Sequence, residues 1–285
     1  MFDALAADIL QYLPTRLVSR LVGRAARVEL PDPLQSSVNR TFARLAGVDV
    51  DEARRAPGDY DSLQAFFTRR LCEGARPVDR TPGAIVSPVD GRLGAHGEIG
   101  DGTLVQAKGR RYELYELLDS RPDASVFEGG SYLTLYLSPG HYHRIHSPVA
   151  GRVERLSYVP GRLLPVNDIG LQHVDRLFAV NERLITFLSA REGRRVAVVK
   201  VGATCVGRIA VTFDDLEGNR AFARRTSVRY DDRPALEVGD ELGVFNLGST
   251  VVLLCEGGDV AFAEDLESGD EVRYGQRLGR LGGRD

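Results

Sequence analysis

The stretch Val244-Phe245-Asn246-Leu247-Gly248-Ser249-Thr250, running on into Val251-Val252-Leu253-Leu254, reads as a loop that enters a buried strand. Val251 to Leu254 is an uninterrupted apolar run of strand-forming residues, and Ser249 stands at its mouth. Gly248 has no Cβ and can take backbone poses closed to other residues. A carbonyl held in such a strained pose beside the Ser249 hydroxyl is open to attack by it, which turns the amide into an ester and cuts the chain. Gly, Ser and Thr are also ordinary turn residues. The tetrapeptide alone leaves both readings open, and partners elsewhere must decide.

Around that stretch the composition is that of a globular protein. At 285 residues the chain holds one large domain or two and can bury a sizeable core. Its 43% hydrophobic and 27% charged residues do not describe a disordered chain. Lys plus Arg total 37 against 40 Asp plus Glu. That balance lacks the concentrated basic excess of a nucleic-acid binder. The 31 glycines exceed the usual share of ~7% and point to many tight turns in a β-rich body. Cys72, Cys205 and Cys255 are odd in number and far apart, with no C-x-x-C pair. They fit a reducing compartment and are expected as buried small hydrophobes. No apolar run reaches the ~18 residues of a membrane span, and the start lacks the pattern of a secretory signal.

Residues 1 to about 28 read as helix, with Leu5, Ile9, Leu10, Leu13, Leu17 and Leu21 at mostly three- and four-residue spacing. Pro14 breaks the segment in two. Arg16, Arg20, Arg24 and Arg27 add a basic tract. Such a helix either lies in the head-group layer of an anionic membrane or packs on the protein's own core. Pro31 to Pro33 reads as a linker, residues 34–46 as helix. Asp61-Ser62 is an N-cap for a helix over Leu63–Leu71, with a stop at Gly74. Short strands and turns begin near residue 84. Expected strands include Tyr132–Ser138, residues 177–190 and 194–213, with a last hairpin over Ser268–Arg280. The fold class is therefore α+β: a helical region, residues 1–80, then a β-rich body, residues 81–285, of short antiparallel strands in a barrel- or sandwich-like arrangement.

Within that body Ser87-Pro88-Val89-Asp90-Gly91-Arg92 is echoed by Ser147-Pro148-Val149-Ala150-Gly151-Arg152, which reads as a repeated strand-turn-strand unit. The copies differ at Asp90 against Ala150. A turn aspartate usually bonds its own backbone. Since the sister turn manages with alanine, Asp90 is free for another task. His141, His143 and His146 bring three of the five histidines within six residues. Taken alone the cluster suits a zinc site, acid-base chemistry or plain structure equally well. A histidine oriented by a carboxylate is what a serine needs to become a nucleophile at neutral pH.

The motifs together resemble the phosphatidylserine decarboxylases of the prokaryotic type. The resemblance runs from Phe66-Phe67-Thr68-Arg69-Arg70-Leu71 with Arg76-Pro77, through Ser87–Gly91, to Tyr142-His143-Arg144-Ile145-His146-Ser147-Pro148. It continues with Val201-Gly202-Ala203-Thr204-Cys205-Val206-Gly207 and closes on Leu247-Gly248-Ser249-Thr250. It implies a proenzyme that cuts itself between Gly248 and Ser249 into a long chain (1–248) and a short chain (249–285), which stay together as a heterodimer. Ser249 then becomes a covalent pyruvoyl group, the cofactor that traps the substrate's amine and accepts electrons as CO₂ leaves. Matched position by position, the resemblance makes Ser249 the self-cleaving residue, His146 its base and Asp90 the carboxylate orienting that base. His143 is then an aid to decarboxylation or substrate binding, and no metal is required. His141 has no matching role, and Cys205 stands where asparagine is common. The implied reaction converts phosphatidylserine to phosphatidylethanolamine. It implies a membrane phospholipid as partner and a peripheral place on the cytoplasmic side of the cell membrane, with the arginine tract as the means of docking. It leaves room for a homo-oligomer. The rival readings are a zinc-dependent hydrolase on His141, His143 and His146, and a non-catalytic lipoyl- or biotinyl-like β module. The last needs a modifiable lysine on a tight hairpin, a context that neither Lys108 nor Lys200 has.

Overall fold

Thr250–Cys255 is buried along its whole length, inside the largest sheet of the molecule. In the computed structural model, which describes residues 15–107, 110–191, 193–204, 208–219, 224–246, 248–258, 260–263 and 265–282, this strand pairs antiparallel with Ser131–Tyr136 on one side and Arg195–Val201 on the other. Leu5, Ile9, Leu10, Leu13 and Pro14 of the expected first helix lie outside the described residues, as do Lys108, Cys205 and Leu247. Val251, Leu253 and Cys255 enter one core with Leu133, Leu135, Val196 and Val198. Val252 and Leu254 enter a second core on the opposite face. With both faces covered, the alternation of a half-exposed strand disappears, which is why the sequence reads as a continuous apolar run.

The sheet extends outward through Arg183–Ala190, Gly151–Val159 and Thr226–Arg229 on one side, and through Gly91–Glu98 and Glu271–Val272 on the other. Four short helices, Leu114–Leu118, Arg121–Phe127, Asp168–His173 and Leu177–Val180, contribute to the second core. Two small sheets complete the body. One orders Ala84–Val86, Arg277–Leu281 and Val260–Phe262, and the other Ile209–Val211, Glu241–Phe245 and Arg144–His146. The expected α+β class holds, with helices first and antiparallel strands after. Among the described residues the sheets stay open and close no barrel.

The echoed turns are structural equivalents. Ala84–Val86 leads through the first turn into Gly91–Glu98, and Arg144–His146 through the second into Gly151–Val159. In each, the serine hydroxyl donates to the valine carbonyl two residues on, Ser87 to Val89 at 2.6 Å and Ser147 to Val149 at 2.7 Å. The turns also bond each other reciprocally: the Val86 N–H donates to the Pro148 carbonyl and the His146 N–H to the Pro88 carbonyl. A second echo, Leu236-Glu237-Val238-Gly239-Asp240-Glu241 against Leu266-Glu267-Ser268-Gly269-Asp270-Glu271, is new from the structure. In both, the aspartate carboxylate accepts from the glutamate N–H three residues earlier.

Several local expectations are corrected. Leu177–Val180 is helix, and the strand begins only at Arg183; one helical turn is too short to show a period in the sequence. The helix capped by Ser62 ends at Phe67, short of Leu71, and the helix expected over 34–46 starts earlier, at Asp32. Ser268–Arg280 is not a hairpin, because Glu271–Val272 pairs with Gly91–Glu98 while Arg277–Leu281 pairs with Ala84–Val86. Cys255 is fully buried, but Cys72 is exposed, its thiol turned to the Ala53 carbonyl beyond the end of the short helix.

The helices Thr15–Ala25 and Leu63–Phe67 are tied to the β body by specific contacts, and Asp32–Ala46 packs through Phe42 on Phe66 and Phe67. Arg16 donates to Glu182 at 2.8 Å, Gln64 to Asn246 at 2.8 Å, and Phe67 lies on the His143 ring. None of the helices described is long and apolar enough to cross a membrane.

Candidate active site

Because Thr250 is in register with Tyr136 and Val201, Ser249 is fixed at the head of the central strand. It is buried. Its carbonyl accepts from the Leu137 N–H at 2.9 Å, and its hydroxyl donates to the Val201 carbonyl. The Gly248 backbone lies outside the left-handed region, and a side-chain carbon added there would meet only ordinary contacts. The conformational freedom of glycine is thus unused at this position in the unbroken chain. One of those contacts is informative: the added carbon would sit 4.0 Å from Nε2 of His143.

His143 is completely buried, with its ring centroid 4.0 Å from that of Phe67. Its Nδ1 faces the His141 carbonyl at 2.9 Å. A carbonyl can only accept, so Nδ1 carries the hydrogen and Nε2 is left with its lone pair. That nitrogen has no partner among the described residues. Burial first, then the charges of Arg69 and His141, push the imidazole down to about 3, so it is neutral at physiological pH. Arg69 closes this side. Its guanidinium is buried over the Phe66 ring and donates through Nη2 to the Gly140 carbonyl, while Nε and Nη1 have no partner among the described residues.

His146 occupies a separate cage. Its Nδ1 faces the Gly239 carbonyl at 2.8 Å and its Nε2 the Tyr142 hydroxyl at 3.2 Å. The Tyr274 ring stacks on it at 3.6 Å between centroids. Burial lowers its pKa to about 4, against the opposing pull of the Glu241 and Asp90 charges. The Asp90 carboxylate accepts from Arg76 Nη2 at 2.7 Å and from the Tyr274 N–H at 2.8 Å. Asp90 and His146 therefore belong to one cluster, joined through Tyr274, whose hydroxyl also donates to the Gly239 carbonyl at 3.0 Å. Among the described residues no hydrogen bond links His146 directly to Asp90 or to Ser249.

The three neighbouring histidines do not converge. His141 turns its Nε2 to Glu271 at 3.2 Å, and among the described residues no three His, Cys, Asp or Glu side chains gather where an ion could sit. Lys200, too, is far from a modifiable hairpin tip. It is fully buried in the strand Arg195–Val201, where Nζ donates to Thr186 at 2.5 Å and burial lowers its pKa to about 7. The sequence reading passed over Arg76, Tyr142, Tyr274 and the Gly239 carbonyl as site components. Arg76 and Tyr142 did stand in the quoted motifs, while Tyr274 and the Gly239 carbonyl left no such mark.

A buried serine hydroxyl at a strand mouth with one buried imidazole beside it, and a second cluster that joins a buried imidazole to a buried carboxylate, has the makings of an enzyme active site. Comparison with known proteins gives the family. The family model for phosphatidylserine decarboxylase matches residues 63–280, and the chain belongs to that family of enzymes. It is 41% identical to the phosphatidylserine decarboxylase proenzyme of Myxococcus xanthus (strain DK1622), over 98% of this chain and 99% of that protein. The proenzyme of Brevibacillus brevis is 39% identical over 98% of each chain, and that of an Anaeromyxobacter species (strain K) 42% identical over 98% and 99%.

Proposed function

We propose that this chain is a precursor that cuts itself between Gly248 and Ser249 and, once cut, decarboxylates phosphatidylserine to phosphatidylethanolamine at a membrane surface. Residues 1–80 are the membrane-associating part and residues 81–285 the catalytic part. The observation that carries the reading is the buried Ser249, held at the head of the central strand beside the unpartnered Nε2 of a neutral His143.

In the first stage the Ser249 hydroxyl leaves the Val201 carbonyl, gives its proton to His146 and bonds the Gly248 carbonyl carbon. The C–N bond then breaks and the nitrogen takes up the proton. Elimination of the Gly248 carboxylate, tautomerisation and hydrolysis with loss of ammonia complete the change at residue 249. Burial keeps His146 neutral and so able to accept a proton, and the Glu241 and Asp90 charges partly offset what burial costs its protonated form. Using its Nε2 requires the Tyr142 hydroxyl to turn away, because that hydroxyl holds the lone pair in the uncut chain.

The residues present suit a pyruvoyl group at position 249, since Nε2 of His143, without a partner among the described residues, lies beside residue 248. When present, that group supplies an electron-accepting ketone. In the second stage His143 handles the proton that replaces CO₂. Its neutral ring and the free lone pair on Nε2, close to residue 248, suit proton transfer there. The burial of this end, with Phe67 over the ring, keeps water from the reacting carbon.

A denaturing mass spectrum of the purified protein tests the reading. The expected result is one fragment ending at Gly248 and a second beginning with a blocked residue 249, with Ser249→Ala remaining full length and inactive on phosphatidylserine. Uncut wild-type chain that still releases CO₂ would overturn it.

A further inference from the structure

The chain leading to Gly248 is held by two neighbours. The Phe245 N–H donates to the His143 carbonyl at 3.0 Å and the Asn246 N–H to the Arg208 carbonyl at 2.9 Å, while the Asn246 side chain accepts from Gln64 at 2.8 Å. Gln64 belongs to the helix Leu63–Phe67, and the residues that close this helix wrap the histidine loop. Phe67 lies on the His143 ring, the Thr68 carbonyl accepts from Arg144 Nε at 3.1 Å, and Arg69 donates through Nη2 to the Gly140 carbonyl at 2.9 Å. Arg69 Nη2 also lies 3.4 Å from the His141 carbonyl, the oxygen that accepts from His143 Nδ1 at 2.9 Å. His143 thus joins the two: one ring nitrogen shares a carbonyl with Arg69, and the other lies beside Gly248.

The cation at this spot lacks a counter-charge. Arg69 is only 3% exposed, and a guanidinium keeps its proton inside a protein. Burial lowers its pKa, against the pull of Tyr60, Asp90 and Glu52. Those two carboxylates are each held by Arg76 at 2.7 Å. The neighbouring cations are provided for as well: Arg70 and Arg144 pair with Glu241, and Arg208 with Glu217. Arg69 forms no ion pair among the described residues, and its Nε and Nη1 meet no acceptor there. A buried charge left in this state is costly, and the cost is lifted when an anion reaches it.

Self-cleavage makes such an anion. Elimination releases Gly248 as a terminal carboxylate, a negative charge where the uncut chain has a neutral amide. That end must leave residue 249 before a substrate can approach. Beyond Asn246 it is two residues long, a reach of at most ~7 Å, so it stays close to the wall that carries Gln64 and Arg69. His143 is neutral and brings no charge to meet it. Arg69 brings both a charge and open N–H donors, the combination that makes strong bonds to a carboxylate.

We infer that Arg69 is the receptor for the Gly248 carboxylate in the cut enzyme, pairing with it and drawing the new end of the long fragment off residue 249. The inference rests on the self-cleavage proposed above and adds where the cut end goes. Its test is digestion of the cut enzyme with a carboxypeptidase at neutral pH, read as the mass of the long fragment. The wild-type end should resist, while Arg69→Gln should lose Gly248 and then Leu247 about 10- to 100-fold faster, the scale of losing a charge-assisted bond. Arg69→Lys, which keeps the charge, should recover part of the protection; a general loosening of the loop would leave the two variants alike and overturn the inference. Equal trimming of wild type and Arg69→Gln would overturn it too. Should Arg69→Gln fail to fold or cut, a crystal structure of the cut wild type decides. A Gly248 carboxylate oxygen is expected within about 3 Å of Arg69 Nε or Nη1, and a carboxylate turned to solvent or to another cation would sink the idea. A wild type that never cuts removes the functional reading itself, an outcome distinct from a cut chain whose end is free, which removes this inference alone.

Discussion

The turns at Ser87–Arg92 and Ser147–Arg152 share a backbone, a serine-to-carbonyl hydrogen bond and a reciprocal pair of contacts. They part company at a single chemical group. In the second turn Ala150 contributes only its carbonyl, which accepts from the Arg191 N–H. In the first, Asp90 is buried and gathers Arg76 and the Tyr274 N–H. Since the alanine copy folds into the same shape, the carboxylate is not needed for the turn. What it adds is a fixed negative charge beside His146 and an anchor for the ring stacked on that histidine. A duplicated structural unit has thus acquired an electrostatic task in one copy only.

The comparison breaks most visibly at Asp90→Ala, which makes the first turn chemically like the second. Arg76 then loses one of its two carboxylate partners, Glu52 remaining, while both side chains of the lost pair are nearly buried. A cost of about 3–5 kcal/mol in urea unfolding is expected for breaking a buried pair. Self-cleavage, followed as fragment appearance on a denaturing gel, should slow by roughly 10²–10⁴-fold, the worth of a positioned base. Asp90→Asn should keep most of the stability and still cut slowly. Normal cleavage in both variants would return Asp90 to a purely structural part.

Acid sharpens the same contrast. Folded pKa values of about 3 for His143 and about 4 for His146 lie below the ordinary 6.5, so the unfolded chain binds more protons between those limits. Their contribution is complete above about pH 6.5 and is lost as the pH falls toward 4 and then 3, by about 1.4 kcal/mol per pH unit for each ring. Arg69 and His141 act on His143, while Glu241, Arg144 and Asp90 act on His146. Replacing His146 with Gln should remove one ring's share of the slope and stall cutting. Replacing His143 with Gln should remove the other share, leave cutting intact and lower turnover at least about 100-fold. Both variants cutting alike would merge the two roles.

Ser87→Ala and Ser147→Ala probe what the turns have in common. Each strips a fully buried carbonyl contact of its donor, with an expected loss of about 1–3 kcal/mol that is the same for both. A difference above about 1 kcal/mol would show the copies to be unequal as scaffolds. The smallest effect is expected for Ala150→Asp, at a half-buried position: within about 0.5 kcal/mol in stability and no change in cutting.

How far the sequence carries such an argument depends on the range of each interaction. The central strand, the repeat and the Ser62 cap are local patterns, and each was legible in a window of a few residues. Leu177–Val180 was not, being one turn long, nor was the partner choice of Arg277–Leu281, because pairing across the chain leaves no mark on either strand alone. In the site, the histidine cluster and the odd position of Asp90 in the repeat were visible by type and spacing, but only the family resemblance joined Ser249, His143, His146 and Asp90 into one site. The engagement of Asp90 by Arg76 and the stacking of Tyr274 on His146 did not, since they join residues 14 and 184 positions from Asp90 through folding alone.

Interleaving has a mechanical consequence at the proposed cut. The segment following Gly248 supplies Thr250–Cys255, held between two neighbours, and Arg277–Leu281, likewise flanked on each edge. A peptide severed there would have nowhere to go: dilution would not shed the short piece, and its release would demand melting of the whole body. The newly made terminus would be clamped in place, so a severed backbone could present a reactive group as firmly as an intact one.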